Sequence, residues 1–471
     1  MAKENKKTDK EFTGRYLVLL PEGVGAEDFK NQVKEVSEFK ISKSTDFKDE
    51  FFTSEDLDKT DGIVLDKLGI VILNNKPKMD MMVSSLSEGG SGMIIEPERV
   101  VHAFNKLDDN TSSYIEGYRD AINNLANSML GTDQSSYEEE VAAIDISSVG
   151  ATWGLKATNV VPQLALQYNP YSGNGIKVAV LDTGFDFNHP DFAGRTILQQ
   201  SFITGQAAQD GHGHGTHCIG TSCGPLNPAG NIERYGIAYN AQIYVGKVLS
   251  NSGSGADGGI LAGINWAVAN GCAVISMSLG AKNTVAGYSA VYENAAVRAI
   301  NQGSLIIAAA GNDSNRPGSI VAVSHPANCP SIMAVGAVDS AMNIAYFSNG
   351  GLFPTYGAVD IAGPGVGVFS STKLPTKYTN MSGTSMATPH VAGIAALWAE
   401  ATGLRGINLW NKLTSTAKPL PLPTRDVGTG LVQAPTKRRI IMTPTPFPPR
   451  FPLPIPRPIP IPPTPPVPPV L

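Results

Sequence analysis

The chain has 471 residues and a formal net charge of −5, and its length is sufficient for two or three folded units. Hydrophobic residues make up 42% of it and charged residues 16%, and its 49 glycines indicate a compact α/β protein with many tight turns. No cluster of lysine and arginine is interleaved with aromatic residues, which argues against nucleic-acid binding. No apolar run approaches the roughly 20 residues of a membrane helix, which argues against a membrane span.

The start of the chain, residues 1–13, is rich in charged and polar residues and is predicted to be disordered. It lacks the apolar stretch of a secretory signal, which leaves a cytoplasmic location, export by an unconventional route or an incomplete start as the alternatives. The cysteines are too few and too scattered for a disulfide scaffold, so we expect buried free thiols, with one bridge as the alternative. The four cysteines are Cys218, Cys223, Cys272 and Cys329.

Residues 14–104 predict a small α+β unit, because strand and helix patterns alternate along them. Two helices alternating with strands in this way indicate a ferredoxin-like fold. The strands are predicted at 15–20, 62–73 and 92–96, the last continuing into 97–102, and the helices at 27–36 and 78–86.

Two further segments lack a strand-and-helix alternation. Residues 105–142 are polar and acidic and predict a connector with one amphipathic helix at 114–130. Residues 436–471 are a proline-rich tail, and such a density of proline excludes helix and central strand and favours polyproline II. The tail is therefore predicted to be a semi-rigid spacer, with docking into an aromatic groove of a partner as the alternative.

Residues 143–435 alternate between strands and helices, which predicts a mainly parallel sheet with helices on both faces. In such a fold, ligands and reacting groups lie at the carboxyl ends of the strands. The strands are predicted at 176–181, 242–249, 273–279, 304–310 and 331–338, and the helices at 214–223, 258–270, 288–301 and 384–401.

Three short segments place a reactive side chain beside glycine-rich backbone. Asp182 ends a buried strand, His214 opens a helix of small residues, and Ser385 lies at a helix N-terminus, where unpaired N–H groups favour negative charge. A serine hydroxyl is a weak nucleophile near neutral pH and needs a base within hydrogen-bond reach. The base in turn needs a third group that fixes its tautomer. These three side chains can fill the three roles.

The segments Asp182-Thr-Gly, His214-Gly-Thr-His and Gly-Thr-Ser385-Met-Ala-Thr-Pro resemble the three signatures of the subtilisin family of serine peptidases, in the family's order. The resemblance extends over residues 153–434. It implies a subtilisin-like three-layer α/β fold and a serine endopeptidase that hydrolyses peptide bonds through an acyl-enzyme. It implies no cofactor for that chemistry.

The resemblance also assigns roles to other residues. Asn312 matches the family's oxyanion-hole donor and would act together with the backbone N–H of Ser385. The expected substrate-binding positions lie on an edge strand and on the walls of the pocket for the residue before the cut. They are Ser252, Gly253, Ser278, Leu279, Gly280, Ala310 and Gly311, with Asp313 and Ser324 at the pocket floor.

The N-terminal unit resembles the inhibitory prodomain of the same family. Residues 15–20 match its first strand, and residues 93–104 match its final strand and tail. This implies that the unit packs on the protease as an intramolecular inhibitor, lays its tail through the active site and is removed by self-processing. The maturation cut could fall after Phe104, within the acidic connector, or at both places in succession.

Two metal hypotheses remain at this point. Asp191 and Asp360 match carboxylates that bind structural calcium in branches of the family, although either could simply cap a turn. A zinc site is the second hypothesis, and we consider it weaker because the resemblance gives the second histidine a structural role and Cys218 the role of a buried thiol. Its ligands would be His212, His214, His217 and Cys218.

Three functions are compatible with these patterns. The first is a peptidase of broad or unknown specificity acting on polypeptides, and the second is a dedicated protease that matures one precursor. The third is a catalytically silent subtilisin fold used for binding, against which the intact Asp182, His214, Ser385 and Asn312 argue. The sequence leaves the first two open, because specificity depends on pocket shape and loops.

Overall fold

The computed structural model describes residues 11–36, 39–47, 52, 54–74, 92–104, 150–164, 166–283 and 286–438. The helix predicted at 78–86, the connector with its helix, and the proline-rich tail from 439 onward lie outside the described residues. So does most of the predicted disordered start, but the first strand already begins at Phe12, within the range predicted to be disordered.

The N-terminal unit is built around an antiparallel sheet. Its strands are β1 (Phe12–Leu19), β2 (Ile41–Lys43), β3 (Gly62–Leu65), β4 (Ile70–Leu73) and β5 (Ile94–Ala103), and its helices are α1 (Ala26–Val36) and α2 (Ser54–Lys59). The sheet has the order β5-β1-β4-β3-β2, in which only the short β2 pairs in parallel. The four longer strands have the order expected for a ferredoxin-like fold.

The range 62–73 has the predicted strand character but is divided in two. Residues 62–73 form a hairpin of two strands, not one continuous strand. The turn between β3 and β4 is closed by the N–H of Gly69, which donates to the carbonyl of Leu65 over 2.8 Å. Gly69 has φ +57°, a left-handed conformation that glycine adopts without steric cost.

The larger unit is centred on a sheet of seven parallel strands. Its order is β15-β14-β13-β11-β7-β9-β8, so the strand ending at Asp182 lies inside the sheet. The strands are β7 (Lys177–Asp182), β8 (Ile197–Ser201), β9 (Gln242–Lys247), β11 (Val274–Met277), β13 (Leu305–Ala309), β14 (Met333–Val338) and β15 (Ile361–Pro364). The smaller strands of this unit are β6 (Gln167–Tyr168), β10 (Ser254–Ala256), β12 (Leu279–Gly280), β16 (Val368–Ser371), β17 (Tyr378–Met381) and β18 (Lys437–Arg438).

Helices cover both faces of this sheet and give the predicted three-layer α/β fold. Val178 and Val180 belong to the core on one face, and Ala179 and Leu181 to the core on the other, as the two-residue period of a strand requires. The first face packs on α4 (His214–Cys223), α7 (Thr384–Thr402) and α8 (Gly406–Thr416). The second packs on α5 (Asp257–Ala269) and α6 (Ala290–Asn301). The short α3 (Trp153–Ala157) adds Leu155 to the core of the first face, and α9 (Thr424–Val427) adds Val427 to a small separate cluster.

The N-terminal unit packs on the second layer of helices. Apolar residues of its sheet, such as Ile63 and Ile72, belong to the same core cluster as Leu261 and Tyr292 of α5 and α6. Strand β5 then continues into the larger unit, where it pairs antiparallel with β10 and β12.

The described residues include all four cysteines and the helices named above. The four cysteines are buried and free, so the expectation of unpaired thiols is confirmed. Across the described ranges, no helix is both long enough and apolar enough to cross a bilayer.

Candidate active site

Asp182 and His214 form a buried hydrogen-bonded pair. Asp182 is the last residue of β7 and His214 the first residue of α4. The Nδ1–H of His214 donates to Oδ1 of Asp182 over 2.7 Å, and both side chains are buried. Burial lowers the pKa of His214, but the Asp182 carboxylate outweighs burial and holds that pKa well above its usual value. The pair therefore fixes the ring with Nε2 on the side away from the carboxylate.

The loop that leads into α4 is organised by a second buried carboxylate, Asp210. It accepts hydrogen bonds from the backbone N–H groups of His212 (2.9 Å), Gly213 (2.8 Å) and Thr216 (2.9 Å). Gly213 has φ +107°, and a Cβ there would lie 2.8 Å from Oγ1 of Thr372, so only glycine fits directly before the helix. Asp210 lies outside the sequence motifs that predicted the site.

The hydroxyl of Ser385, near the start of α7, faces two carbonyl oxygens. Oγ lies 3.1 Å from the carbonyl oxygen of Phe104 and 3.2 Å from that of Ser278. Nε2 of His214 is buried and has no hydrogen-bond partner among the described residues. The predicted hydrogen bond between Ser385 and His214 is therefore not formed in this arrangement, because the single hydroxyl proton is directed at a carbonyl acceptor.

Asn312, three residues after β13, lies on the other side of the same carbonyl. Its Nδ2 donates to the carbonyl oxygen of Phe104 over 3.1 Å. Its Oδ1 accepts from the backbone N (2.9 Å) and Oγ1 (2.8 Å) of Thr384, which fixes the direction of the amide. No hydrogen bond from the backbone N–H of Ser385 to this carbonyl is found among the described contacts. The Phe104 carbonyl is instead held between Nδ2 of Asn312 and the Ser385 hydroxyl.

The residues before Phe104 form the central strand of a small three-stranded arrangement. Residues 100–102 pair with β10, with Ser254 opposite His102, and residues 102–103 pair with β12 on the other side. The N–H of Ala103 also donates to the carbonyl of Gly253 over 2.8 Å. The end of the N-terminal unit, up to and including Phe104, is called the tail from here on. It is bound through its main chain on both edges, and this kind of binding tolerates many side chains.

The side chain of Phe104 packs against Gly280. A Cβ on that glycine would lie 2.6 Å from the Phe104 ring and would collide with the carbonyl of His325. Gly280 therefore leaves the space that the aromatic ring occupies.

Comparison with known proteins identifies this architecture. Residues 173–430, more than half of the chain, match the family model described as the subtilase family, peptidase S8. The chain belongs to the subtilase family. It is therefore a subtilisin-like serine endopeptidase, a hydrolase whose substrates are polypeptides.

Individual relatives agree with this assignment. This subtilase is 41% identical to the alkaline protease of Alkalihalobacillus alcalophilus over 302 residues, which are 64% of this chain and 73% of that protein. It is 41% identical to subtilisin Savinase of Lederbergia lenta over 285 residues, 60% of this chain and 96% of that protein. It is 38% identical to the cuticle-degrading protease of Metarhizium anisopliae over 278 residues, 56% of this chain and 66% of that protein.

The predicted substrate-binding residues of the subtilase fall into two groups. The first group contacts or pairs with the tail and consists of Gly253, Leu279 and Gly280. Ser278 is bound to Ser385 by two hydrogen bonds: its carbonyl accepts from Oγ of Ser385, and its own hydroxyl donates to the carbonyl of Ser385. The described hydrogen bonds of the remaining residues go elsewhere. Ser252 bonds to Ser250, the N–H of Ala310 donates to the carbonyl of Val335 in β14, and the N–H of Gly311 donates to Oγ1 of Thr384. Asp313 and Ser324 both bond to Asn349.

The histidine and cysteine residues around α4 are not brought together as a four-ligand zinc site. The described group with suitable ligand atoms close together is Asp182, His214 and Cys218, which is the buried pair with a neighbouring thiol. Nε2 of His217 instead donates to the carbonyl of Val368 over 3.0 Å, and burial lowers the pKa of His217 to about 3. Burial raises the pKa of Cys218, whose Sγ lies 4.0 Å from Nδ1 of His214.

The two predicted calcium ligands are engaged by hydrogen-bond donors. The Asp191 carboxylate accepts from the hydroxyls of Tyr235 and Tyr378 and from the N–H of Ala229. Burial raises the pKa of Tyr378 to about 12, with the Asp191 charge adding to the effect, so this hydroxyl remains a donor at neutral pH. Calcium prefers six to eight oxygen ligands, and among the described residues Asp191 belongs to no group of three or more acidic, histidine or cysteine side chains.

At Asp360, Oδ2 accepts the N–H of Ala334 over 2.7 Å. Burial raises the pKa of Asp360 to about 7. Both acids are therefore engaged by donors of the protein, and calcium binding at either of them stays a prediction.

Proposed function

We propose that this endopeptidase acts through Asp182, His214 and Ser385 and is made as a zymogen that processes itself. Nε2 of His214 takes the proton of the Ser385 hydroxyl as Oγ attacks the scissile carbonyl. The breaking C–N bond then receives that proton at nitrogen, which releases the amine and leaves an acyl-enzyme for water to hydrolyse. Asp182 holds the imidazole and stabilises the imidazolium that forms between the two transfers.

Asn312 is proposed to stabilise the negative charge on the carbonyl oxygen during attack. Its Nδ2 is already oriented by Thr384, so little reorganisation is needed when the charge develops. Ser385 would have to turn from the carbonyl oxygen towards Nε2 of His214 before reaction. The unpaired and buried Nε2 atom is available for that contact.

The observation that carries the proposal is the position of the Phe104 carbonyl. Its oxygen lies 3.1 Å from Nδ2 of Asn312 and 3.1 Å from Oγ of Ser385. A carbonyl in this position is where a peptide bond about to be attacked would lie. This supports the bond between Phe104 and Asn105 as the first maturation cut.

Two carboxylates support the role of the N-terminal unit as an inhibitor. Glu96 accepts from the N–H of Ala290 (2.7 Å) at the start of α6, and Glu98 accepts from the N–H of Gly258 (2.9 Å) at the start of α5. Each satisfies an N–H group that has no partner inside its helix, and each places negative charge at the positive end of the helix dipole. The N-terminal unit is thereby anchored at the N-termini of two helices, upstream of the residues that occupy the site.

A serine-directed fluorophosphonate tests the proposed nucleophile. The full chain, left to mature, should digest casein, lose that activity on treatment, and carry the label on the peptide that contains Ser385. Active protein labelled at a different residue, or hydrolysis that survives complete labelling of Ser385, would reject the proposed triad.

Asn312→Ala should lower kcat by about 10²- to 10³-fold with a much smaller change in KM, as the corresponding loss does in subtilisin itself. The reason is that Nδ2 acts on charge that exists only in the transition state. Steady-state kinetics on a chromogenic peptide measure both constants. A rise in KM with unchanged kcat would mean that Asn312 only binds the substrate.

Calcium removal is expected to leave stability unchanged, because donors surround both candidate acids. We expect the same unfolding temperature for the Ser385→Ala chain, chosen to prevent self-digestion, in chelator and in millimolar calcium. Differential scanning calorimetry measures it, and magnesium serves as the control. A lower unfolding temperature in chelator that calcium alone restores would contradict this interpretation.

A further inference from the structure

The tail makes one main-chain contact beyond the strand that pairs with β10. Counting backwards from the proposed cut, Phe104 is the first residue and Arg99 the sixth. The backbone N–H of Arg99 donates to Oδ2 of Asp257 over 3.0 Å. Residues 100–102 pair with β10, so Asp257 lies where the strand ends and α5 begins.

Asp257 is held firmly in the position to accept this N–H. Its side chain is 2% exposed, and its other oxygen, Oδ1, accepts from Nε2 of His325 over 2.9 Å. His325 is 1% exposed and packs edge-on against the ring of Tyr292, with ring centroids 4.7 Å apart. One carboxylate oxygen thus faces the histidine and the other faces the bound strand.

The neighbouring position provides an internal comparison. The N–H of Val100, the fifth residue, donates to the carbonyl of Glu11 inside the N-terminal unit and makes no such contact with the larger unit. The N–H of Arg99 is a group that every substrate residue except proline carries. The contact to Asp257 therefore does not depend on the side chains of the N-terminal unit.

We propose that Asp257, positioned by His325, is a subsite that binds the backbone N–H of the sixth residue before the cut in polypeptide substrates. The proposal rests on the proposed function, because the tail stands for a substrate strand. The enzyme would then favour substrates that extend at least six residues upstream of the cut, and proline at the sixth position would be disfavoured.

An ester substitution tests this subsite directly. The substrate is a synthetic peptide with the sequence of residues 97–108, and the enzyme is the full chain after it has matured. In one peptide an ester oxygen replaces the N–H of the residue at position 99, and in the control the same change is made at position 100. We expect kcat/KM for cleavage after Phe104 to fall by roughly tenfold for the first change, as for loss of a hydrogen bond to a charged group, and by less than about twofold for the control.

The Asp257→Ala variant completes the cycle. In this variant the ratio of kcat/KM between the amide peptide and the position-99 ester should fall to about one, because the enzyme then offers no acceptor to either peptide. Two results would overturn the subsite. One is equal cleavage of the amide peptide and the position-99 ester by the unmodified enzyme, and the other is an undiminished ratio of their kcat/KM values in the variant. Failure of the enzyme to cleave any of the peptides would instead count against the proposed function.

Discussion

The Ser385→Ala chain should remain at full length and should not hydrolyse casein, whereas the unmodified chain shortens itself and becomes active. The change removes the atom that would form the covalent intermediate. For the same change in subtilisin the loss in kcat is about 10⁶-fold, and a loss of that size is expected here. Intact mass over time and casein hydrolysis measure the two effects.

A matched control is available three residues away. The Oγ of Ser382 accepts the N–H of Gly367 over 3.0 Å and makes no described contact with the tail, so Ser382→Ala should still mature and digest casein. Casein hydrolysis by the Ser385→Ala chain at an undiminished rate would exclude Ser385 as the nucleophile. Loss of activity in both variants would point to a folding defect at the start of α7 instead.

Asp182→Asn should lower kcat by about 10⁴-fold, because an amide at this position no longer selects the tautomer with the proton on Nδ1 of His214. It should also shift the pH dependence. His214 accepts a proton only when neutral, so activity is lost as pH falls through its pKa, which the Asp182 charge holds well above the usual value. Without that charge, burial lowers the pKa, and the residual activity should persist to lower pH.

The profile of kcat/KM against pH measures this shift in free enzyme. Asp210→Asn is the comparison, since Asp210 holds the loop before α4 but makes no described hydrogen bond to the His214 ring. It should leave the acidic limb of the profile in place even if kcat falls. An acidic limb that is identical in the unmodified enzyme and in Asp182→Asn would contradict the role given to the pair.

The parallel sheet could be predicted because its strands are short apolar runs separated by helix-length segments. β7 is buried on both faces and ends in Asp182, and this combination of an apolar run and a terminal carboxylate is visible in the sequence. The hairpin of β3 and β4 is less visible. Both strands are buried at every position, so no alternation of polar and apolar residues marks where one ends.

The candidate site was predictable only in part, because its contacts join distant parts of the chain. The resemblance identified Asn312 and Ser385, but the rotamer of Ser385 depends on the Phe104 carbonyl, 281 residues earlier. Asp257 and His325 are 68 residues apart, and neither lies in a recognisable motif. Only a folded structure brings such pairs together.

The surroundings of Asp191 could not be predicted from the one matched residue. Asp191 is where the resemblance predicts a ligand, but its surroundings are set by Tyr235 and Tyr378, which come from other segments. Both tyrosine hydroxyls donate to the Asp191 carboxylate. Residue type alone did not indicate this arrangement.

If the carbonyl of Phe104 lies where a scissile carbonyl is attacked, the bond between residues 104 and 105 is the first to be cut. The N-terminal sequence of the large fragment, sampled at the earliest time that cleavage is detectable in freshly folded full chain, tests it most directly. We predict a fragment that begins at Asn105, and its absence from the Ser385→Ala chain. A first fragment that begins elsewhere, with residues 104 and 105 still joined, would contradict the account.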